Sequence, residues 1–274
     1  ERHLYYQAQL DWARQFGDHN VTAMGLFSRQ ERTRGSIVPH YREDWAFRVT
    51  YNYADKYFFE YNGAYNGSDK FSSDHRFAFF NSGAIGWMIS EEKFMKPLKF
   101  IDLLKLRASY GEIGNDEIGN EWDANYRWLY MTQWETGGNI LTGLYNAASP
   151  YTFYREKTVG NPDIHWEVVR KFNFGIDYSF FGGLLAGNVE IFRDRRTDVL
   201  LQGANRATPS FFGGITQAPW ANLGTIDNKG YELELRINKT LRNGLHLWGN
   251  FNMTHAISEV VDGDDALYKP YYQK

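Results

Sequence analysis

Residues 168–180 alternate between two faces. Val168, Arg170, Phe172, Phe174, Ile176, Tyr178 and Phe180 fall on one, which is almost wholly apolar and aromatic. Val169, Lys171, Asn173, Gly175, Asp177 and Ser179 fall on the other, which is polar or small. A period of two predicts a strand with unlike surroundings on its two sides. The pattern recurs: Tyr57, Phe59, Tyr61 and Tyr65 oppose Glu60, Asn62 and Asn66, and Tyr231, Leu233, Leu235 and Ile237 oppose Glu232, Glu234, Arg236 and Asn238. Strands are expected near 2–16, 20–34, 43–54, 57–67, 75–89, 102–113, 164–180, 184–201, 225–241 and 245–260. Many exceed the roughly 9–11 residues that cross a bilayer. With aromatics near their ends they predict an all-β fold, the wall of an antiparallel transmembrane β-barrel with lipid outside and water inside.

The connections alternate in length. Gly17-Asp18-His19, Asp55-Lys56, Phe181-Gly182-Gly183 and Arg242-Asn243-Gly244 are tight turns with Gly, Asn or Asp at the bend. Between them lie longer connections at about 35–42, 68–74, 114–163 and 202–224. Outer-membrane barrels place short turns on the periplasmic side and long loops outside. The stretch 90–101 breaks the rule. Ser90-Glu91-Glu92-Lys93 is expected to cap a short helical turn there. This parity sends both chain ends to the extracellular side, so an interior slice of a larger barrel is expected. Lys269-Pro270-Tyr271-Tyr272-Gln273-Lys274 does not read as a closing strand, and bare edges in lipid are untenable.

Composition supports this picture. The aromatic fraction is 18%, with 19 Tyr, 20 Phe and 9 Trp, which suits the interfacial girdles of a barrel. The net charge is −3 with no basic stripe, so nothing calls for nucleic acid. The chain has no cysteine, which excludes a disulfide scaffold and thiolate metal sites.

Four stretches are more specific. The first runs from Arg48-Val49-Thr50-Tyr51-Asn52-Tyr53 through Arg76-Phe77-Ala78-Phe79-Phe80-Asn81-Ser82 to Gly86-Trp87-Met88-Ile89-Ser90-Glu91-Glu92. The second is Leu104-Lys105-Leu106-Arg107-Ala108-Ser109-Tyr110-Gly111-Glu112-Ile113-Gly114-Asn115. The third is Gly160-Asn161-Pro162-Asp163-Ile164-His165-Trp166-Glu167, and the fourth runs from Asn222-Leu223-Gly224 to Gly230-Tyr231-Glu232-Leu233. In this order they resemble the SusC-like family of TonB-dependent outer-membrane transporters, typical of Bacteroidetes, over roughly 41–262. The resemblance implies a barrel of about 22 strands with a plugged lumen. It also implies TonB contact through a segment not in this chain and a SusD-like surface lipoprotein as lid. It further implies oligosaccharide or peptide as substrate, glycans foremost, and no enzyme activity. The motif residues read as architecture rather than as ligand contacts. Gly111, Gly114 and Gly230 are expected at strand ends needing positive φ or close approach, and Trp87 and Trp166 at the membrane interface. The alternative function is a non-transport barrel, structural or adhesive.

The loop 114–163 is the leading site candidate. Trp122, Tyr126, Trp128 and Trp134 are the substrate-binding candidates, because exposed aromatic faces suit sugar rings and nearby Asp116, Glu117, Glu121 and Asp123 can accept hydroxyls. The same residues support a weightier structural reading. Trp122, Ala124, Tyr126, Trp128 and Tyr130 share one parity, as in a hairpin packing an apolar face on a neighbour. In the loop 202–224, Phe211, Phe212 and Trp220 are the candidates for contact with a lid or partner. Asp262, Asp264 and Asp265 read as a solvated acidic loop rather than a calcium site. The cluster Arg193, Asp194, Arg195, Arg196 and Asp198 is expected beyond the membrane rim or in a lumen network. No metal, cofactor or catalytic constellation is expected.

Overall fold

A computed structural model describes residues 1–35, 37–119, 124–140, 151–203, 206–207 and 218–265. Ten strands form one antiparallel meander: β1 (Arg2–Phe16), β2 (His19–Thr33), β3 (His40–Tyr53), β4 (Tyr57–Ser68), β5 (Phe77–Met88), β6 (Ile101–Asn115), β9 (Glu167–Phe180), β10 (Leu185–Leu201), β11 (Ala221–Thr240) and β12 (His246–Asp262). Each pairs with the next, and the sheet is open, with β1 and β12 as its edges. All ten expected strands are present. Two further strands, β7 (Gln133–Asn139) and β8 (Thr152–Thr158), form a separate hairpin inside the longest connection. A single helical turn, α1 (Ala124–Arg127), precedes them.

The register sorts side chains strictly by face. Cross-strand rows such as Phe27, Trp45, Tyr65 and Phe79 lie outward. On β9 the outward apolar run covers Phe172 to Phe180, about 26 Å of strand at ~3.3 Å per residue. Tilted by ~40°, that is about 20 Å of height, close to the apolar band of a membrane barrel. Ion pairs on the outward face mark the upper limit of the band: Arg29–Glu43 at 3.8 Å, Glu112–Arg170 at 3.0 Å and Arg193–Asp227 at 2.5 Å. Aromatic rings gather at both ends. Phe27 and Trp45 lie 4.5 Å apart at the upper end, and Tyr53 and Tyr57 lie 6.3 Å apart at the lower. Strands continue above the band, as their length predicted.

Two glycines leave gaps in this outer face that rings fill. A Cβ at Gly63 would meet Phe47 Cζ at 2.5 Å and Phe79 Cζ at 3.0 Å, and one at Gly67 would meet Phe77 Cδ1 at 2.7 Å. Aromatic cover of a strand glycine keeps the apolar surface continuous.

The inner face is a hydrogen-bonded polar ladder. Arg48 pairs with Glu60 at 2.7 Å, Asn173 donates to Glu190 at 2.9 Å, and Asn188 donates to Glu234 at 2.9 Å. Arg107 pairs with Asp177 at 3.3 Å and reaches Glu190 two strands away. It lies across Gly175, where a Cβ would meet its Cζ at 2.9 Å.

Short connections all fall at one end of the sheet. The turn after β3 places Ala54 and Asp55 both in the left-handed region, at φ 51° and 55°, the geometry that matches hairpin twist. Residues 89–100 share this end. A 3-10 turn, Ile89–Glu91, forms there as expected, but Ser90 lies inside it and no side chain caps it. Glu92 ties the turn down instead, accepting from Tyr57 Oη at 2.6 Å and Trp87 Nε1 at 3.2 Å. Trp87 thus lies in the lower girdle, as expected.

Two expectations need correction. Trp166 does not face the interface. It is 3% exposed inside a core at the upper rim, its Nε1 donating to the Arg76 carbonyl at 3.2 Å, because β5 and β6 part there and its ring fills the gap against Phe71 and Phe80. Gly230 lies within β11 rather than at its end, and none of Gly111, Gly114 and Gly230 has positive φ. Close approach is their reason: a Cβ would meet Ser82 Cβ at 2.5 Å, Phe80 Cε1 at 2.7 Å and Phe192 Cζ at 2.7 Å respectively.

Candidate functional site at the outer rim

β5 and β6 pair only from Ser82–Gly111 down to Met88–Lys105. Above that point they part, and buried side chains fill the wedge. Phe71, Phe80, Ile118, Leu129, Ile164 and Trp166 form one cluster, with Tyr126, Val168, Leu200 and Trp220 against it. Trp166 lies 5.3 Å from Phe71 and 5.6 Å from Phe80, ring to ring. The motif stretches converge here. Glu167 accepts from Asn115 Nδ2 at 2.9 Å and from the Leu200 amide at 3.0 Å. Asn222 Nδ2 donates to the carbonyls of His165 and Asp198 at 2.9 and 2.7 Å, and Asn161 Nδ2 to that of Trp220 at 2.8 Å. The motifs therefore knit the loop bases to the wall.

Arg127 is the central cation of the rim. Its side chain is 5% exposed. It donates to the carbonyls of Val38 at 2.6 Å and Pro39 at 2.5 Å and pairs with Asp69 at 3.1 Å. One guanidinium so ties the connections after β2, β4 and β6. His40 lies 3.5 Å from the same Asp69. On the inner side, Asp116 joins Arg42 at 3.1 Å and Lys70 at 3.8 Å.

The sequence-predicted site residues do not converge. Trp122, Phe211 and Phe212 lie outside the described residues. Tyr126 packs edge-on against Trp220, centroids 5.7 Å apart, so both rings join the rim core. Trp128 lies against the Arg127 guanidinium at 4.8 Å and lines a cavity on the outward side with Tyr130. Trp134, on β7, is 62% exposed. The parity shared by Tyr126, Trp128 and Tyr130 is not that of a strand, since they lie in α1 and the turn after it.

An inward cavity of about 580 Å³ opens above the membrane band between β6 and β12. Asn115, Lys171, Asp194, Arg196, Asn228 and Ser258 line it, and Lys171 pairs with Asp194 at 3.4 Å. These groups can hydrogen-bond hydroxyls, amides or carboxylates passing down the lumen. Sequence reading placed Lys171 on a polar face and named Asp194 and Arg196 within a charge cluster, but it did not bring the six together, because only the register gathers them. The charge cluster is split between the faces: Arg193 points outward to Asp227, and Asp194 inward to Lys171. Among the described residues no group of His, Asp and Glu could hold a metal.

The chain matches the family described as TonB dependent receptor-like, beta-barrel, over residues 3–272. It belongs to this family. The TonB-dependent receptor SusC of Bacteroides thetaiotaomicron is 29% identical over 240 residues, 86% of this chain and 22% of that protein. A TonB-dependent receptor of Formosa agariphila is 33% identical over 216 residues, 78% of this chain and 19% of that protein. This receptor-barrel chain thus spans about a fifth of the length of these relatives. In fold it is similar to the RagAB peptide importer in its closed-closed state, with a TM-score of 0.75 at 19% identity, covering 94% of this chain and 30% of that one. The siderophore receptor PirA of Pseudomonas aeruginosa is similar at a TM-score of 0.55 and 13% identity, covering 93% and 40%. The chain is an outer-membrane β-barrel portion of SusC-like type.

Proposed function

We propose that this chain is the wall and outer rim of a TonB-dependent importer that takes up oligomers, glycans foremost, beneath a SusD-like lipoprotein lid. The observation that carries this reading is the division of one continuous meander into an apolar outer face and a hydrogen-bonded inner face, with every long connection except 89–100 at one end. Such a wall encloses a polar passage and offers its loops to the outside. The inner rim cavity would meet a polar oligomer first, through Lys171, Arg196, Asn228 and Ser258. Trp134, exposed on β7, would supply a stacking face from the loops, with Trp122 as a second candidate, while Tyr126 and Trp128 would brace the base of the loop. Phe211, Phe212 and Trp220 would contact the lid. A relative named as the TonB-dependent receptor SusC and a fold neighbour named as a peptide importer support the import reading.

The test is uptake by a strain lacking the full-length gene. Labelled oligosaccharides should fail to enter and should be restored by the gene only while TonB and the proton gradient are intact. Loss of oligopeptide uptake alone would move the substrate class to peptides. Unchanged uptake of both would overturn import.

A further inference from the structure

The cavity on the outward side of the rim has chemistry that passage through the lumen does not use. It has a volume of about 400 Å³, and its lining includes Arg29, Tyr41, Arg76, Phe77, Trp128 and Tyr130. The register places it on the lipid side. Arg29, Glu43, Gly67 and Phe77 form one cross-strand row. That row lies two residues, about 6.6 Å of strand, above the lipid-facing row Phe27, Trp45, Tyr65 and Phe79. The cavity therefore lies where the hydrocarbon ends, at headgroup depth and at the long-loop end, with this row as its outward wall and Arg42 and Ser68 reaching it from the inner side.

Its charge is cationic where a ligand can reach. Arg29 has a half-exposed side chain and is paired only loosely with Glu43, at 3.8 Å. Arg76 is exposed. Arg127, behind them, has its two terminal nitrogens turned to Val38, Pro39 and Asp69. A guanidinium fork matches phosphate oxygens in pairs. Tyr41, Phe77, Trp128 and Tyr130 frame the cavity with rings of the kind that settle at headgroup level.

We propose that this cavity seats the phosphate-bearing headgroup of an outer-leaflet glycolipid, with acyl chains running down over Phe27, Trp45, Tyr65 and Phe79. Arg29 and Arg76 hold the phosphate, and the lipid braces the Arg127 segment from outside. A free anion would use the same cations but not the apolar row beneath them. The inference rests on the outer-membrane placement of the barrel and not on what the lumen imports.

The experiment is native mass spectrometry with a phosphorus assay on the full-length protein extracted in mild detergent. The double variant Arg29→Gln, Arg76→Gln should bind phosphorylated glycolipid roughly a hundredfold more weakly, as expected for two charge-assisted contacts. Glu43→Gln removes the competing carboxylate and should retain more than the unaltered protein. It keeps the test open if the double variant misfolds. Lipid retention unchanged in these variants overturns the proposal, as does full displacement of the lipid by inorganic phosphate. Uptake measured alongside separates the two readings: lipid loss with normal uptake supports this site alone.

Discussion

Replacing Gly114 by alanine should destabilise the outer rim out of proportion to one methyl group. The three nearest atoms to a Cβ there are all in the Phe80 ring, and even the third lies at 2.7 Å, far inside ordinary contact. The ring has nowhere to go. Phe80 is 5% exposed, and Trp166 stands against it edge-on at 5.6 Å. Gly114 does not have positive φ, so the cost is steric and not conformational. Overpacking of this kind costs about 1–3 kcal/mol, and the closed surroundings place it in the upper half of that range. Phe80→Ala alone opens a cavity worth about 3–5 kcal/mol. In the double variant the new methyl enters the vacated space, so the two costs should fall short of their sum by about 2 kcal/mol. Urea unfolding of the full-length barrel in lipid vesicles, on both single variants and the double, measures the cycle. A Gly114→Ala cost under about 0.5 kcal/mol, or strict additivity in the double, would refute the wedge argument.

Two other outcomes test the ends and the faces of the wall. Glu92 is held below the usual carboxylate range, first by the Tyr57 hydroxyl and then by the Trp87 indole, with Lys56 adding to it. A lowered folded value gives stability that is full above the unfolded value and is lost as pH falls through the folded one, so amide protection factors across residues 88–101, corrected for the intrinsic exchange rate at each pH, should fall as pH is taken from neutral to below the usual carboxylate range. Glu92→Gln should be weakly protected at both, and a flat wild-type protection profile would show that Glu92 does not hold this turn. Ile176 lies in mid-band on the outward face and Ser109 on the inward face. Ile176→Arg should cost about 2–4 kcal/mol and Ser109→Arg under about 1 kcal/mol, and the reverse order in unfolding titrations would invert the assignment of the faces.

Much of the wall is legible in the chain because a strand repeats every two residues and each side meets a different solvent. Phe172 to Phe180 declare their face without any partner, and a slip of one residue would bury Asp177 in lipid. The turn residues at 17–19, 54–56 and 242–244 set the alternation of short and long connections by the same local logic. The loops follow no such rule. Tyr126, Trp128 and Tyr130 alternate like a strand, yet they belong to a helical turn and its exit. The β7–β8 hairpin was not visible either, since Gly137 and Gly138 interrupt its period.

The sequence by itself determined the barrel class, the ten wall strands, the two faces and the family resemblance, all through local periodicity and short motifs. Only the tertiary structure decided what the motifs are for. Trp166 is interfacial by its place near a strand end but buried by contact with Phe71 and Phe80. Gly114 is required by a ring on another strand, and Arg127 matters through carbonyls and a carboxylate on two other connections. The outward cavity exists only because the register brings Arg29, Glu43, Gly67 and Phe77 into one row. Close packing and charge pairing between segments distant in the chain depend on distances that no run of neighbouring residues encodes.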